Sequence, residues 1–472
     1  MKCRKFSLED QITFAELSGD HNPLHIDAIA ARRLLFGAPV VHGIHSLLWS
    51  LDSWLEGKKE NIELRLIKAV FPKPIRVGED VNLSLISEDE RHIRIELLCG
   101  ESIVTRIEAE WDKSEQRRFD YLERRIPEKC QPRVLSEDEI ESKSGTLNLC
   151  LNIELAGKMF PHLVRCVSPL QIAILLGTSR LIGVECPGLH SIYSELNLLA
   201  SDTHECTTLK YEVTKFDRRF GLVFIKIIAP GITGIIKAFV RPKPQEQDSY
   251  LNLKELVSRN DFSGQYALVI GGSRGLGEVT AKLLAAGNAK VKITYHRGEK
   301  DAQRIVEEIV SYGGVADCFQ YDVLSPQQNA LRPSLNNWRP THLYYFATPF
   351  IFSGVKGAFS MELFKKFCDY YITGFFNTMN PLKSLGLRNI FYPSSVAIDE
   401  IPLDMGEYAA AKMAGEMLCV FLEKNYKDLK IYRPRLPRMR TDQTVSLFPV
   451  NNQDPGPVIL EHLLSFRDTS IS

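Results

Sequence analysis

The apolar run Tyr266–Ile270 ends on two glycines, and GGSRGLG then leads into a helical pattern from Glu278 to Ala286. A strand that must turn at once into a helix leaves few folds open. The glycines permit the tight turn and let backbone N–H groups approach an anion at the helix start. A second strand pattern, Lys290–Tyr295, completes a βαβ opening. Further strand candidates at Ala316–Tyr321, His342–Ala347 and Asn389–Pro393, separated by helical stretches, continue it as a parallel, doubly wound sheet. A nucleotide site is expected at the ends of its strands.

This pattern uses less than half of the 472 residues. Two stretches break the hydrophobic periodicity: the charged segment Lys113 to Arg133, and RPKPQEQDS from Arg241 to Ser249. They predict domains over 1–118, 132–245 and 262–472. The first has an apolar helical run, Val40–Trp54, then strands at Arg65–Val70, Asp80–Ile86, His92–Leu98 and Val104–Trp111. The second repeats the order, with a helix Pro169–Ile182 and strands at Ser191–Leu199, Thr207–Lys215, Phe220–Ile228 and Gly234–Arg241. Two copies of one α+β unit are expected.

Lysine plus arginine equals aspartate plus glutamate at 58 each, so no net field attracts nucleic acid or an anionic membrane. Ten cysteines without a CxxC pair suit a reducing compartment, and no apolar run reaches the length of a membrane span. The expectation is a cytoplasmic protein without nucleic-acid or membrane partners.

Between Phe14 and Ala31 the chain reads FAELSGDHNPLHIDAIAA, which sets Asp20 and His25 five residues apart around an Asn-Pro turn. A carboxylate and an imidazole at one point can deprotonate a water or return a proton to a leaving hydroxyl. Hydration of a thioester double bond also needs an oxyanion donor, and the N–H of Gly43 at the head of the apolar helix is the candidate. The segment resembles the MaoC-like (R)-specific enoyl-thioester hydratase signature, and FGAPVVHG (36–43) and FPKPIRVGED (71–80) resemble later parts of that family. The resemblance implies a hot-dog fold with Asp20 and His25 as the catalytic pair and Gly43 as oxyanion amide. The second repeat lacks a D-x-N-P-x-H equivalent, and its His162 and His190 read as structural. The two repeats then form a double hot-dog with one active half, and no metal is implied.

In the third part, Gly271, Gly275 and Gly277 have the spacing of short-chain dehydrogenases/reductases, and Tyr408 and Lys412 form YxxxK with Ser395 thirteen residues before the tyrosine. By that resemblance Tyr408 donates a proton, Lys412 lowers its pKa and holds the nicotinamide ribose, and Ser395 binds the substrate carbonyl. Ser273 belongs to the glycine loop and Asp322 to the adenine contact. No acidic residue follows the second strand; His296 and Arg297 stand there, and with Arg274 they favour NADP. Three departures accompany the match: FATPF (346–350) after the fourth strand, Tyr371 at the expected asparagine, and RPRLPRMRTD (433–442) after the last long strand.

Together the resemblances imply an enzyme that reduces 3-oxoacyl thioesters with NADPH and dehydrates the (R)-3-hydroxyacyl product. Its carrier would be acyl carrier protein or CoA, in fatty-acid-like or polyketide-like biosynthesis, and its state a homodimer or homotetramer. The alternatives are an oxidative hydratase/dehydrogenase and a chain whose inactive reductase domain serves assembly.

Overall fold

The computed structural model describes residues 2–114, 122–202, 208–325, 331–447 and 450–471. The expected domain limit at 118 and the expected strand start at Thr207 lie outside them. The chain divides into two compact units, Met1–Lys243 and Pro244–Ser472.

The first unit is built on a single ten-stranded sheet. Its strands are β1 (Lys2–Lys5), β2 (Ile62–Val70), β3 (Asp80–Glu88), β4 (His92–Cys99), β5 (Ser102–Lys113), β6 (Ser144–Asn148), β7 (Ser191–Ala200), β8 (Thr208–Asp217), β9 (Leu222–Ala229) and β10 (Ile232–Val240). They lie in the order β1-β3-β4-β5-β2-β7-β10-β9-β8-β6, with antiparallel pairing throughout. The two repeats join where β2 pairs β7, Leu66 opposite Leu199 through Val70 opposite Glu195. The alternation read from the sequence found eight of these strands; β1 and β6 are short and polar and gave no period.

Each repeat lays one apolar helix on the sheet. Gly43–Trp54 is buried almost all round, and Pro169–Arg180 likewise. The first helix starts three residues later than its apolar run suggests, because Val40 is extended and bridges Arg76. The second gives way at Leu181 to a π-helical turn, Leu181–Glu185. Gln171 holds the Leu64 N–H and C=O with its amide at 3.0 and 2.9 Å, and Asp52 caps the helix Pro161–Cys166 through the His162 and Leu163 N–H groups.

The second unit contains β11 (Tyr266–Ile270), β12 (Lys290–Tyr295), β13 (Val315–Gln320), β14 (His342–Tyr345), β15 (Asn389–Phe391), β16 (Ser394–Ser395), β17 (Lys430–Tyr432) and β18 (Arg435–Leu436). Six form a parallel sheet in the order β13-β12-β11-β14-β15-β17, and β16 pairs β18. The doubly wound character shows in β11, whose Ala267 and Val269 enter one apolar cluster while Leu268 and Ile270 enter another. Successive side chains point to opposite faces, and both faces are covered. The unit begins earlier than the 262 expected: in the helix Tyr250–Lys254, Tyr250 and Leu253 are buried in the first of these clusters.

Candidate active sites

The helix Leu8–Ser18 ends at Gly19, whose φ of +78° turns the chain toward Asp20. Asn22 then caps the short helix Pro23–Ile26, which carries His25. Ligand atoms of Asp20, His25 and His42 all lie within 4.8 Å of one another, so the expected pair does converge. The His25 and His42 rings stack at 3.8 Å.

The Asp20 carboxylate accepts from Ser179 Oγ at 2.7 Å and from the Asn22 N–H at 3.3 Å, yet burial outweighs these bonds and raises its pKa to about 7. His25 Nδ1 lies 2.7 Å from Val40 O; a carbonyl only accepts, so Nδ1 carries the hydrogen and Nε2 keeps its lone pair. Burial lowers His25 to about 4. At neutral pH the imidazole is uncharged and the carboxyl holds a proton part of the time. Gly43 is the first residue of its helix, where an N–H has no intrahelical partner, and a Cβ on it would meet the Phe71 ring at 3.1 Å.

Several groups around Asp20 were not read from the sequence, because they come from the other repeat. Besides Ser179, Gly183 lies so close that a Cβ there would fall 2.0 Å from Asp20 Oδ1. Asn22 Nδ2 lies within 3.0–3.3 Å of the carbonyls of Gly183, Gly188 and Leu189. No local pattern marks contacts spanning about 160 positions. His42 could have been found: it sits beside Gly43 in the quoted VVHG. Of the histidines expected to be structural, His162 gives its N–H to Asp52, and burial lowers His190 to about 4.

In the second unit the glycines do what their spacing demands. Gly271 (φ +76°) and Gly275 (φ +56°) take backbone conformations that side chains resist, and a Cβ on Gly277 would lie 2.3 Å from Gly271 O. Thr294 fixes the loop, accepting the Gly271 N–H on Oγ1 and the Gly272 N–H on its carbonyl, both at 3.0 Å. Ser273 is buried and Arg274 precedes the helix Gly275–Ala286. This cradle fits a dinucleotide pyrophosphate. Arg274 also forms an ion pair with the buried Asp442 at 2.6 Å. Arg297 is exposed, and Asp322 lies 3.5 Å from His296 and accepts the Leu324 N–H.

Ser395 closes β16, and the helix Gly406–Asn425 carries Tyr408 and Lys412. Burial moves the Tyr408 pKa up, against the lowering influence of the Ser395 hydroxyl. Lys412 turns elsewhere: Nζ donates to Pro393 O at 2.7 Å and lies 4.0 Å from the Tyr371 ring centroid, and burial lowers it to about 7. The Tyr371 hydroxyl lies 2.6 Å from Thr348 Oγ1, inside the unusual FATPF segment. Tyr371 also belongs to a π-helical turn, Asp369–Gly374, in which Tyr345 and Tyr392 hydroxyls donate to the carbonyls of Tyr370 and Tyr371.

One unit thus presents a buried carboxyl beside a half-buried imidazole and the other a glycine cradle with a Ser-Tyr-Lys group. Residues 2–109 match the family described as MaoC like domain, and residues 265–433 match short chain dehydrogenase; the chain joins a domain of each family. A Saccharomyces cerevisiae peroxisomal hydratase-dehydrogenase-epimerase is 39% identical over 66 residues, 14% of this chain and 7% of that protein. A 3-oxoacyl-[acyl-carrier-protein] reductase of Synechocystis is 39% identical over 67 residues, 14% of this chain and 27% of that protein. The matches therefore span well under two thirds of either relative. Among solved structures, a short chain dehydrogenase from Burkholderia cenocepacia in complex with NADP is 26% identical, covering 39% of this chain and 78% of that one, with a TM-score of 0.36. The angucycline C-6 ketoreductase LanV with bound NADP is 19% identical, covering 46% and 94%, with a TM-score of 0.40.

Proposed function

We propose that the chain is a bifunctional enzyme that reduces 3-oxoacyl thioesters with NADPH and dehydrates the resulting (R)-3-hydroxyacyl thioesters, on acyl carrier protein or CoA, in fatty-acid-like or polyketide-like biosynthesis. The observation that carries it is the convergence of Asp20 and His25 in a chain that also holds Tyr408 against Ser395. The ten-stranded unit is read as a double hot-dog with one acid-base centre.

In dehydration a base takes the proton from C2 while an acid gives one to the departing C3 hydroxyl, so the pair must hold one proton between them. With Asp20 near 7 and His25 near 4, that proton belongs on the carboxyl. His25 Nε2 accepts from C2, Asp20 protonates the leaving hydroxyl, and the Gly43 N–H stabilises the charge on the thioester oxygen. One C–H and one C–O bond break, a C=C bond forms and water leaves.

In the reductase, Gly271, Ser273, Gly275, Gly277 and Asp322 would hold the dinucleotide, with Arg274 and Arg297 toward a 2′-phosphate and Lys412 toward the nicotinamide ribose. The bound nicotinamide supplies the hydride. Ser395 holds the carbonyl oxygen and Tyr408 protonates it. A homodimer is supported by Met413, Met417 and Phe421, an exposed apolar stripe at i, i+4, i+8 on the Tyr408 helix.

The experiment supplies a short 3-oxoacyl thioester with NADPH or NADH and identifies products by mass. Cofactor oxidation with an enoyl product lighter than the hydroxyacyl intermediate by one water supports both centres. A second reading runs the steps backwards, hydration then oxidation, and the name of the yeast relative favours it. A third, a chain with an inactive reductase, draws on Lys412 turning to Pro393.

A further inference from the structure

Arg241 follows β10 directly and is 2% exposed. Its backbone N–H donates to His190 O and its Nη2 to Leu189 O, each at 2.7 Å. Nε and Nη1 are buried without a hydrogen-bond partner, and among the described residues no carboxylate pairs with it. A guanidinium stays charged, and a buried charge is costly unless compensated. Other arginines of the chain are compensated: Arg433 meets Glu423, Arg435 meets Glu416, and Arg274 meets Asp442. A ligand does not explain the exception, since Nε and Nη1 have no surface left for an anion or a water to touch.

What the side chain does reach is the hydratase centre. Leu189 O, which Nη2 holds, lies 3.2 Å from Asn22 Nδ2, and Asn22 stands between Asp20 and His25 in the signature loop. The charge of Arg241 also acts on His25, adding to the effect of burial. We propose that Arg241 is a positioning residue of the hydratase centre, whose buried and uncompensated charge fixes the carbonyl that grips Asn22 and sets a standing positive potential at that centre. The inference rests on the hydratase reading above and gives the second repeat an electrostatic part in the reaction.

The titratable and charged groups around His25 are Asp20 on the same loop, His42 stacked on it from the head of its helix, and Arg241 from the end of β10. Both His25 and His42 are held down by burial, so neither supplies a competing cation at neutral pH.

The test compares Arg241→Met, which keeps bulk and removes charge, with Arg241→Lys, which keeps charge. The first readout is the His25 titration followed by NMR on histidine-labelled full-length chain, assigned with His25→Asn. Arg241→Met should raise the His25 midpoint by about half a unit or more, and Arg241→Lys should leave it near that of the parent. The second is the pH dependence of kcat/KM for dehydration of a short (R)-3-hydroxyacyl thioester, whose acid limb should rise by the same amount in Arg241→Met, with kcat falling more than KM changes. An unchanged His25 midpoint in folded Arg241→Met overturns the proposal, as does a lysine variant that shifts as far as the methionine one. Should Arg241→Met fail to fold, Arg241→Lys decides: its midpoint must match that of the parent. The NMR readout stands even if the chain hydrates no thioester, so failure of the hydratase reading shows separately.

Discussion

Ser179 donates to the Asp20 carboxylate at 2.7 Å across 159 positions of chain. The donor ends the apolar helix of one repeat and the acceptor belongs to the signature loop of the other. The bond opposes the burial that pushes Asp20 up, so Ser179, together with the Asn22 N–H, limits how far the carboxyl rises.

Ser179→Ala should therefore raise the Asp20 pKa further. Hydrogen bonds to charged groups are worth about 1.5–3 kcal/mol, so hydratase kcat at pH 7 should fall by roughly 10- to 100-fold. The limb of the rate profile set by Asp20 should move to higher pH. Initial rates from pH 5 to 9 check both; an unshifted profile would mean that Ser179 only packs.

Asp20→Asn should abolish hydration and yet stabilise the fold in alkaline buffer. The folded pKa lies near 7 against the ordinary aspartate value of 3.8, so the folded state keeps its proton longer, and stability falls as pH rises from about 4 to 7. At about 1.4 kcal/mol per unit, the upper bound of the penalty is about 4 kcal/mol. Thermal melts should show little difference at pH 4 and a higher Tm for the variant at pH 8. A constant difference across that range would sink the argument.

Gly183→Ala places a methyl where Asp20 Oδ1 now lies, whereas Gly157→Ala, in the helix Ile153–Met159, meets nothing within 4 Å. The first should destabilise by about 1–3 kcal/mol and lose most hydratase activity. The second should be neutral or stabilising by about 0.5–1 kcal/mol. Denaturant midpoints and hydration rates of the pair make the comparison.

Asp442→Asn removes an ion-pair partner of Arg274 and leaves more of its charge available to a 2′-phosphate. NADPH affinity relative to NADH should rise several-fold, read by fluorescence titration with each cofactor. An unchanged ratio would place 2′-phosphate recognition elsewhere, at Arg297 above all.

Local chemistry in this chain was legible and long-range chemistry was not. Asp20, His25 and Asn22 share one turn, and the positive φ of Gly271 and Gly275 follows from where a strand must become a helix, so spacing alone was informative. Alternation located β3 to β5 and β7 to β10 within a few residues, because one face of each is buried. Ser179, Gly183 and Arg241 left no such mark; an isolated serine, glycine or arginine near an element end looks like any other until the sheet closes. Two expectations met competing physics: burial raises Tyr408 while Lys412 donates to Pro393 instead, and Asp442 pairs with an arginine read as gripping phosphate.

The β2–β7 seam also bears on how such a chain could diversify. Two identical subunits meeting along that edge would have to carry every substitution twice, so a change that suits one role would intrude on the other. With both repeats in one polypeptide, each position around Asp20 exists in a single copy. A substitution at Ser179 or Gly183 then alters the surroundings of Asp20 without touching the loop that carries it. Cutting the chain between the repeats would leave β2 and β7 as open edges, and each fragment would be driven to pair with a copy of itself, rebuilding a symmetry in which Asp20 has lost Ser179 and Gly183.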